Sequence, residues 1–137
     1  MPFIPEICRT CQLRNRFVED REIGSGDSVD ILFIGEAPGQ TEYDRRLAFV
    51  GQAGQLLDKA LAHVGLDKFH SVITNAVHCW PHDIKGKNRT PTKAELKECH
   101  PLLLDRIAQY KPRIIVTLGE SAYESFYIGK KNKQSFS

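Results

Sequence analysis

The sequence lacks the features of a membrane or secreted protein. No apolar run is long enough to span a bilayer. The N-terminal stretch, MPFIPEICRTC, has neither the basic start nor the apolar segment of a secretory signal. We therefore expect a cytoplasmic protein without a membrane partner. Its 4 cysteines are then expected to stay reduced and to serve metal binding or redox chemistry rather than structural disulfides.

A strong charge of either sign is also missing. The 19 Lys and Arg residues face 17 Asp and Glu residues, a smaller basic excess than domains need to bind nucleic acid by charge alone. Lys85, Lys87 and Arg89 form a local basic cluster, which is either a solvated surface or a contact for an anion. With 137 residues, 41% of them hydrophobic, the chain is long enough for one domain with its own core.

Three apolar runs predict buried strands. Residues 29–35 (VDILFIG) are almost continuously apolar and end at a glycine, as strands covered on both faces do. Residues 71–77 (SVITNAV) are rich in β-branched side chains and form the second run, and residues 113–118 (RIIVTL) form the third. Strands of this kind, separated by helices, predict a three-layer α/β/α domain with a mainly parallel central sheet.

Helical patterns lie between and after these strands. Apolar residues recur at helical spacing over 54–64. Thr92 and Glu95 form a capping box that predicts the start of a second helix, which Pro101 should kink or restart. A third helix is predicted over residues 120–126, and a short helix is expected over residues 12–17.

Ligands of parallel sheets bind beyond the carboxyl ends of the strands. In this sequence those ends carry residues 36–39, 75–79 and 119–121. We therefore expect these segments to meet at one edge of the sheet. His78 and His82 are interpreted as polar loop residues without a role.

The cysteines form a pattern that favours a metal centre. Cys8 and Cys11 form a CxxC pair, Cys79 follows the second strand, and Cys99 lies in the following helix. Four thiolates suit either zinc or a 4Fe–4S cluster, and these spacings do not separate the two. Unpaired buried thiols are the alternative.

Two longer stretches resemble the family 4, iron–sulfur uracil-DNA glycosylases, which are related to a phage DNA polymerase segment. The first stretch is Gly35-Glu36-Ala37-Pro38-Gly39 with Phe49-Val50-Gly51-Gln52-Ala53-Gly54-Gln55. The second is Thr74-Asn75-Ala76-Val77-His78-Cys79 with Asn88-Arg89-Thr90-Pro91-Thr92 and Cys99. The likeness extends from Cys8 to about Phe126 and covers most of the chain.

The resemblance implies specific roles for individual residues. Cys8, Cys11, Cys79 and Cys99 would hold a structural 4Fe–4S cluster. Glu36 and Glu42 would be the catalytic carboxylates, whereas Ala37, Phe49, Asn75 and Asn88 would bind the substrate. Phe49 would stack on the uracil ring, and Asn75 would bind the edge of the base. An Asn amide presents a donor beside an acceptor, which matches O4 and N3–H of uracil.

The chain also departs from the family pattern. Members of the family usually carry a third motif built on His-Pro, and nothing after Gly119 matches it. The single domain, residues 1–137, is therefore expected to be a truncated or divergent member. Arg46-Leu47-Ala48 replaces the usual Gly-x-Pro, and the loop from Trp80 to Lys87 is longer than the family pattern.

Three hypotheses follow from the sequence. The first is a monomeric uracil-DNA glycosylase that acts on uracil-containing DNA and releases free uracil without cutting the strand. The second is a non-catalytic iron–sulfur module that binds nucleic acid. The third is a zinc-stabilised α/β domain with an unrelated small ligand.

Overall fold

Strands and helices alternate along the part of the chain that the computed structural model describes, which is Cys11, Leu13 and residues 15–130. The strands are β1 (Arg21–Ile23), β2 (Ile31–Gly35), β3 (Ser71–Asn75) and β4 (Ile114–Thr117). The α-helices are α1 (Gln40–Arg45), α2 (Gln52–His63), α3 (Lys93–Tyr110) and α4 (Glu120–Phe126). A 3₁₀ turn covers Leu66–Lys68.

The sheet has the strand order β1-β3-β2-β4. β2 is parallel to both β3 and β4, whereas β1 pairs antiparallel with β3 at one edge. The predicted α/β fold with a mainly parallel sheet is thus confirmed. β1 was not predicted, because a strand of 3 residues is too short to show an alternating pattern.

Helices cover both faces of the sheet. Leu32 and Ile34 pack with Leu103 and Ala122 of α3 and α4. The alternate residues Ile31 and Phe33 pack in a second cluster, with Leu61 of α2. Successive side chains of a strand point to opposite faces, so the two clusters are the two interfaces of a three-layer α/β/α domain.

Three of the four predicted helices are present, with differences in detail. The capping box is confirmed, because Thr92 Oγ1 accepts from the Glu95 amide at 3.1 Å and the Glu95 carboxylate accepts from the Thr92 amide at 2.8 Å. Pro101 lies inside a continuous α3 instead of dividing it. α1 was not predicted, and it has no buried residue that would give an apolar pattern.

The short helix expected over residues 12–17 is not seen in its described residues. These form a turn, and Phe17 makes an isolated β-bridge with Cys79. Among the helices described, none is both long enough and apolar enough to cross a membrane.

Candidate functional site

A small pocket opens at the carboxyl edge of the sheet, on the face covered by α2. Its volume is about 70 Å³. It is lined by Ala37, Glu42, Phe49, Ala53, Gly54 and Asn75. The fold therefore brings four of the predicted site residues together, from a strand end, a loop, α1 and the segment before α2.

Asn75 supplies the polar group at the base of this pocket. It is the last residue of β3 and only 3% exposed. Its Oδ1 has no hydrogen-bond partner among the described residues. A buried polar atom without a partner costs about 1–3 kcal/mol, so Asn75 Oδ1 is an acceptor that a hydrogen-bond donor entering the pocket would satisfy.

Gly35 allows the Phe49 ring to meet the Asn75 amide. The strand register places Gly35 directly opposite Asn75. A Cβ on Gly35 would lie 2.3 Å from Phe49 Cε2 and 2.6 Å from Asn75 Oδ1. Only glycine leaves the space that these two side chains occupy, and the result is an aromatic ring beside an amide.

The backbone at Phe49 is held in an unusual conformation. Its φ is +55°, a left-handed value that non-glycine residues rarely adopt. The Arg21 guanidinium donates to the Phe49 carbonyl at 2.8 Å and to the Ala48 carbonyl at 3.1 Å. Arg21 also pairs with Asp58 of α2 at 2.8 Å. These contacts fix the loop that carries the ring, and sequence patterns gave no sign of the role of Arg21.

Glu42 organises the same loop from the other side. Its carboxylate accepts from the backbone N–H groups of Gly39, Val50 and Gly51, at 3.0, 3.1 and 2.6 Å. Charged hydrogen bonds of this kind are among the stronger ones in proteins. Glu42 therefore links the start of α1 to the residues that follow Phe49.

Asn88 lies outside the lining of the pocket and is exposed. Its Oδ1 accepts from the Gln40 amide at 2.9 Å and from Trp80 Nε1 at 2.8 Å. The side chain thus joins the loop after β3 to the first residue of α1. The structure places Asn88 next to the pocket, as a connection between two of the loops around it.

Glu36 follows β2 directly and is exposed. Its carboxylate accepts a hydrogen bond from Ser121 Oγ at 2.7 Å. Ser121 lines a larger cleft of about 560 Å³ between α3 and α4. Glu36 therefore meets Ser121 at the edge of the sheet where residues 36–39 and 119–121 were expected to meet, but it is not one of the residues that line the small pocket.

The described cysteines lie on the other side of the sheet edge. Cys11, Cys79 and Cys99 line one cavity together with Glu95 and Glu98. Burial raises the pKa of the Cys11 thiol, and the nearby Glu98 carboxylate raises it further. The Cys99 sulfur accepts from the His78 backbone N–H at 3.4 Å.

The sulfur atoms of these three cysteines are the type of ligand that a zinc or iron–sulfur centre requires, and they come from distant segments of the chain to line one cavity. Cys8, the remaining predicted ligand, lies outside the described residues. Within the described part, no group of three or more His, Cys, Asp or Glu side chains forms a metal site.

His78 is a buried residue and not the polar loop residue that the sequence predicted. It is 1% exposed, and its Nε2 contacts Thr74 Oγ1 at 2.9 Å. Burial lowers the pKa of His78 to about 4. The second polar neighbour of this ring nitrogen, Asp20 at 3.7 Å, comes from the N-terminal segment and could not be read from the local sequence.

Comparison with known proteins gives consistent results. Residues 23–136 match a family model described as the uracil DNA glycosylase superfamily. The type-4 uracil-DNA glycosylase of Pyrobaculum aerophilum is 38% identical over 113 residues, which are 82% of this chain and 55% of that protein. The corresponding enzyme of Thermotoga maritima is 38% identical over 126 residues, or 90% of this chain and 62% of the relative.

A DNA polymerase of Bacillus phage SP01 is also similar, with 33% identity over 89 residues, which are 65% of this chain and 9% of the polymerase. The chain spans a little over half the length of the type-4 enzymes that it matches. The family model nevertheless covers most of the chain, including every pocket residue. The chain therefore belongs to the uracil-DNA glycosylase superfamily.

Proposed function

We propose that this chain is a monomeric uracil-DNA glycosylase of the type-4 kind, which hydrolyses the N-glycosidic bond of uracil in DNA. The products would be free uracil and an abasic site, without strand cleavage. The single observation that carries the proposal is the buried Asn75 Oδ1, which has no partner among the described residues and faces the Phe49 ring.

Recognition of the base would use this ring and this amide. A base inside a duplex cannot reach such a pocket, so the enzyme must extrude it. Stacking on the Phe49 face would contribute on the order of 1–3 kcal/mol. Asn75 Oδ1 would accept from N3–H of uracil while the amide nitrogen donates to O4. Cytosine carries the reversed pattern and would leave both amide groups unpaired, which favours uracil.

The two carboxylates would act on the sugar and on the attacking water. Breaking the glycosidic bond leaves positive charge on the sugar, which a nearby carboxylate stabilises. Glu42 lines the pocket, and its hydrogen bonds to three backbone N–H groups hold it in place. Glu36 is exposed at the adjacent strand end and is the candidate for orienting water. Asn88 would support the substrate site through its bond to Gln40.

Cys8, Cys11, Cys79 and Cys99 would hold a 4Fe–4S cluster, with zinc as the alternative metal. Such a centre supplies covalent cross-links between distant segments and takes no part in hydrolysis. Three of these cysteines already line one cavity. The visible absorption of the purified protein tests the metal: an iron–sulfur cluster gives a broad absorption that bleaches on reduction, whereas zinc gives none. Cys99→Ala should abolish the absorption.

Uracil release from a DNA oligonucleotide tests the activity. We expect the unaltered chain to release uracil and Asn75→Ala to lose at least about a hundredfold in rate, because the base edge is no longer bound. Glu36→Ala should also lower the rate. Gln55→Ala, an exposed change on α2, is the matched control and should leave the rate unchanged.

The binding of DNA without uracil release is the result that would contradict the enzymatic proposal. If the chain binds uracil-containing DNA tightly through Asn75 but releases no base, it is a binding module of the same fold. If Asn75→Ala releases uracil at the unaltered rate, the proposed base recognition is wrong.

A further inference from the structure

We propose that residues 82–88 form a DNA-opening hairpin, whose tip residue Ile84 inserts into the base stack of a duplex while the pocket receives the extruded uracil. This 82–88 hairpin follows β3 and belongs to the loop that is longer than the family pattern. The inference rests on the proposed function, because it takes DNA as the partner. Beyond that function, it assigns the opening of the duplex to the 82–88 hairpin.

The backbone of the 82–88 hairpin is tightly organised. His82 and Asn88 form an antiparallel bridge at its base. The Gly86 amide donates to the Asp83 carbonyl at 3.0 Å, and Asp83 Oδ1 accepts from the amides of Lys85 and Lys87 at 2.8 and 2.9 Å. Gly86 adopts φ +78°, as the end of such a turn requires. The tip is therefore held in one conformation and is not a loose loop.

Ile84 contributes nothing to this turn. The hydrogen bonds of Asp83 and Gly86 account for the turn backbone, and proline is the residue that β-turns favour at position 84. Ile84 is instead fully exposed, at 101% of its reference area. An isoleucine held at the tip of a rigid turn exposes apolar surface to water without packing against anything, which suits a side chain that is buried only when a partner binds.

The base of the hairpin is fixed beside the pocket. Asn88 bonds the amide of Gln40, the first residue of α1, and the same helix carries the pocket residue Glu42. Arg89, the residue that follows, makes two bonds of 2.8 Å to the Glu95 carboxylate at the start of α3. The hairpin is thus joined to the helix that borders the pocket and braced by a second helix.

The Trp80 ring packs against aromatic rings at the base of the hairpin and in α1. Its centroid lies 5.2 Å from that of Tyr43 in α1 and 4.8 Å from that of His82. Trp80 Nε1 also donates a hydrogen bond to Asn88 Oδ1, at the base of the hairpin, at 2.8 Å. A rigid base is what a wedge needs, because a flexible loop would yield before the base stack did.

The charges around the tip fit a DNA backbone. Lys85 and Lys87 follow the tip residue and are exposed, so their ammonium groups can contact phosphates. Proteins that kink or open DNA insert apolar side chains between base steps and bind the flanking phosphates with cations. An apolar tip followed by two exposed lysines is consistent with this arrangement.

Uracil release under single-turnover conditions from a uracil-containing duplex, and from the same strand alone, tests the proposal. We expect Ile84→Ala to lower the rate on the duplex by about tenfold and the rate on the single strand by less than about twofold, since only the duplex must be opened. Ile84→Leu should restore the duplex rate. Val64→Ala, which alters another exposed apolar residue (64% exposed), is the matched control and should change neither rate.

A second readout does not depend on catalysis. The fluorescence of 2-aminopurine placed beside the uracil should rise when the unaltered chain opens the duplex, and the rise should be lost in Ile84→Ala. Lys85→Gln with Lys87→Gln should weaken binding to both DNA forms and reduce its dependence on salt.

The outcomes separate this inference from the proposed function. If the unaltered chain releases uracil from both substrates and Ile84→Ala does so equally well, the wedge is wrong and the glycosylase stands. If the unaltered chain neither binds DNA nor releases uracil, both fail. If Ile84→Ala instead abolishes binding to phosphatidylserine vesicles and leaves DNA opening unchanged, the hairpin is a membrane contact and the inference is wrong.

Discussion

Gly54→Ala is expected to destabilise the protein, although alanine favours helix formation more than glycine does. Gly54 lies in the first turn of α2 and is buried. In an ordinary helix the change would stabilise by about 1 kcal/mol. Here a Cβ would lie 1.8 Å from the Phe49 carbonyl oxygen and 2.2 Å from its carbon. Unstrained contacts between such atoms are roughly 3.5 Å, so something must move by more than an ångström.

The neighbouring backbone is not free to give way. The Phe49 carbonyl accepts from Arg21 at 2.8 Å, and Glu42 holds the amides of Val50 and Gly51 at 3.1 and 2.6 Å. Overpacking in a fixed environment costs about 1–3 kcal/mol, and the loss of a charged hydrogen bond costs about 1.5–3 kcal/mol more. Against the helix gain of about 1 kcal/mol, we expect a net loss of roughly 1.5–5 kcal/mol in the free energy of unfolding.

Urea denaturation followed by circular dichroism measures this loss. Gly26→Ala is the control, because its Cβ would meet His70 Cβ at an ordinary 3.5 Å. That variant should lie within about 1 kcal/mol of the unaltered chain. If Gly54→Ala proved as stable as the unaltered chain and released uracil at the same rate, the close contact between α2 and the Phe49 loop would be refuted.

Three further changes test other parts of the site and fold. Gly35→Ala should leave the far-ultraviolet circular dichroism unchanged yet lower kcat/KM for uracil release by about a hundredfold, because its Cβ would lie 2.3 Å from the Phe49 ring; an active variant would contradict the pocket geometry. Glu42→Ala removes the acceptor of three backbone bonds and should cost about 2–3 kcal/mol in urea denaturation, with a smaller loss for Glu42→Gln. The Glu22 carboxylate raises the pKa of His70 above its ordinary 6.5, so His70 stabilises the fold at pH values below 6.5, and this contribution is lost as the pH rises through the raised pKa. His70→Asn should lack that loss, and an NMR titration of His70 at or below pH 6.5 would contradict the interpretation.

The sequence predicted most of the fold because apolar runs and caps are local signals. The runs that became β2 and β3 are buried by neighbours on both faces, so most of their residues are apolar or β-branched. The prediction of a buried strand was wrong for β4, because β4 lies at the edge of the sheet, where Ile114 is 57% exposed and the other residues are only partly buried. Thr92 and Glu95 mark the start of α3 through bonds between residues close in sequence. β1 and α1 escaped prediction because 3 and 6 residues are too few to show a period.

The family motifs predicted which residues line the pocket, but they did not predict the contacts that hold those residues in place. Phe49, Asn75 and Glu42 were named from the resemblance, and the fold brings them around one cavity. Their roles in the reaction remain predictions. Arg21 carried no sequence signal, because it acts on a residue that is far away in the chain.

The sequence by itself determined the order along the chain of the longer strands and helices, because side-chain periodicity marks them. It also determined which chemical groups follow the strands, because these groups are neighbours of the strands in the chain. Only the tertiary structure decided that Asn75 Oδ1 lacks a partner among the described residues, that Glu42 holds the Phe49 loop, and that the Ile84 side chain is fully exposed. These properties depend on distances between segments that are remote in the chain. Such distances are set by how the sheet and helices pack, which no local pattern encodes.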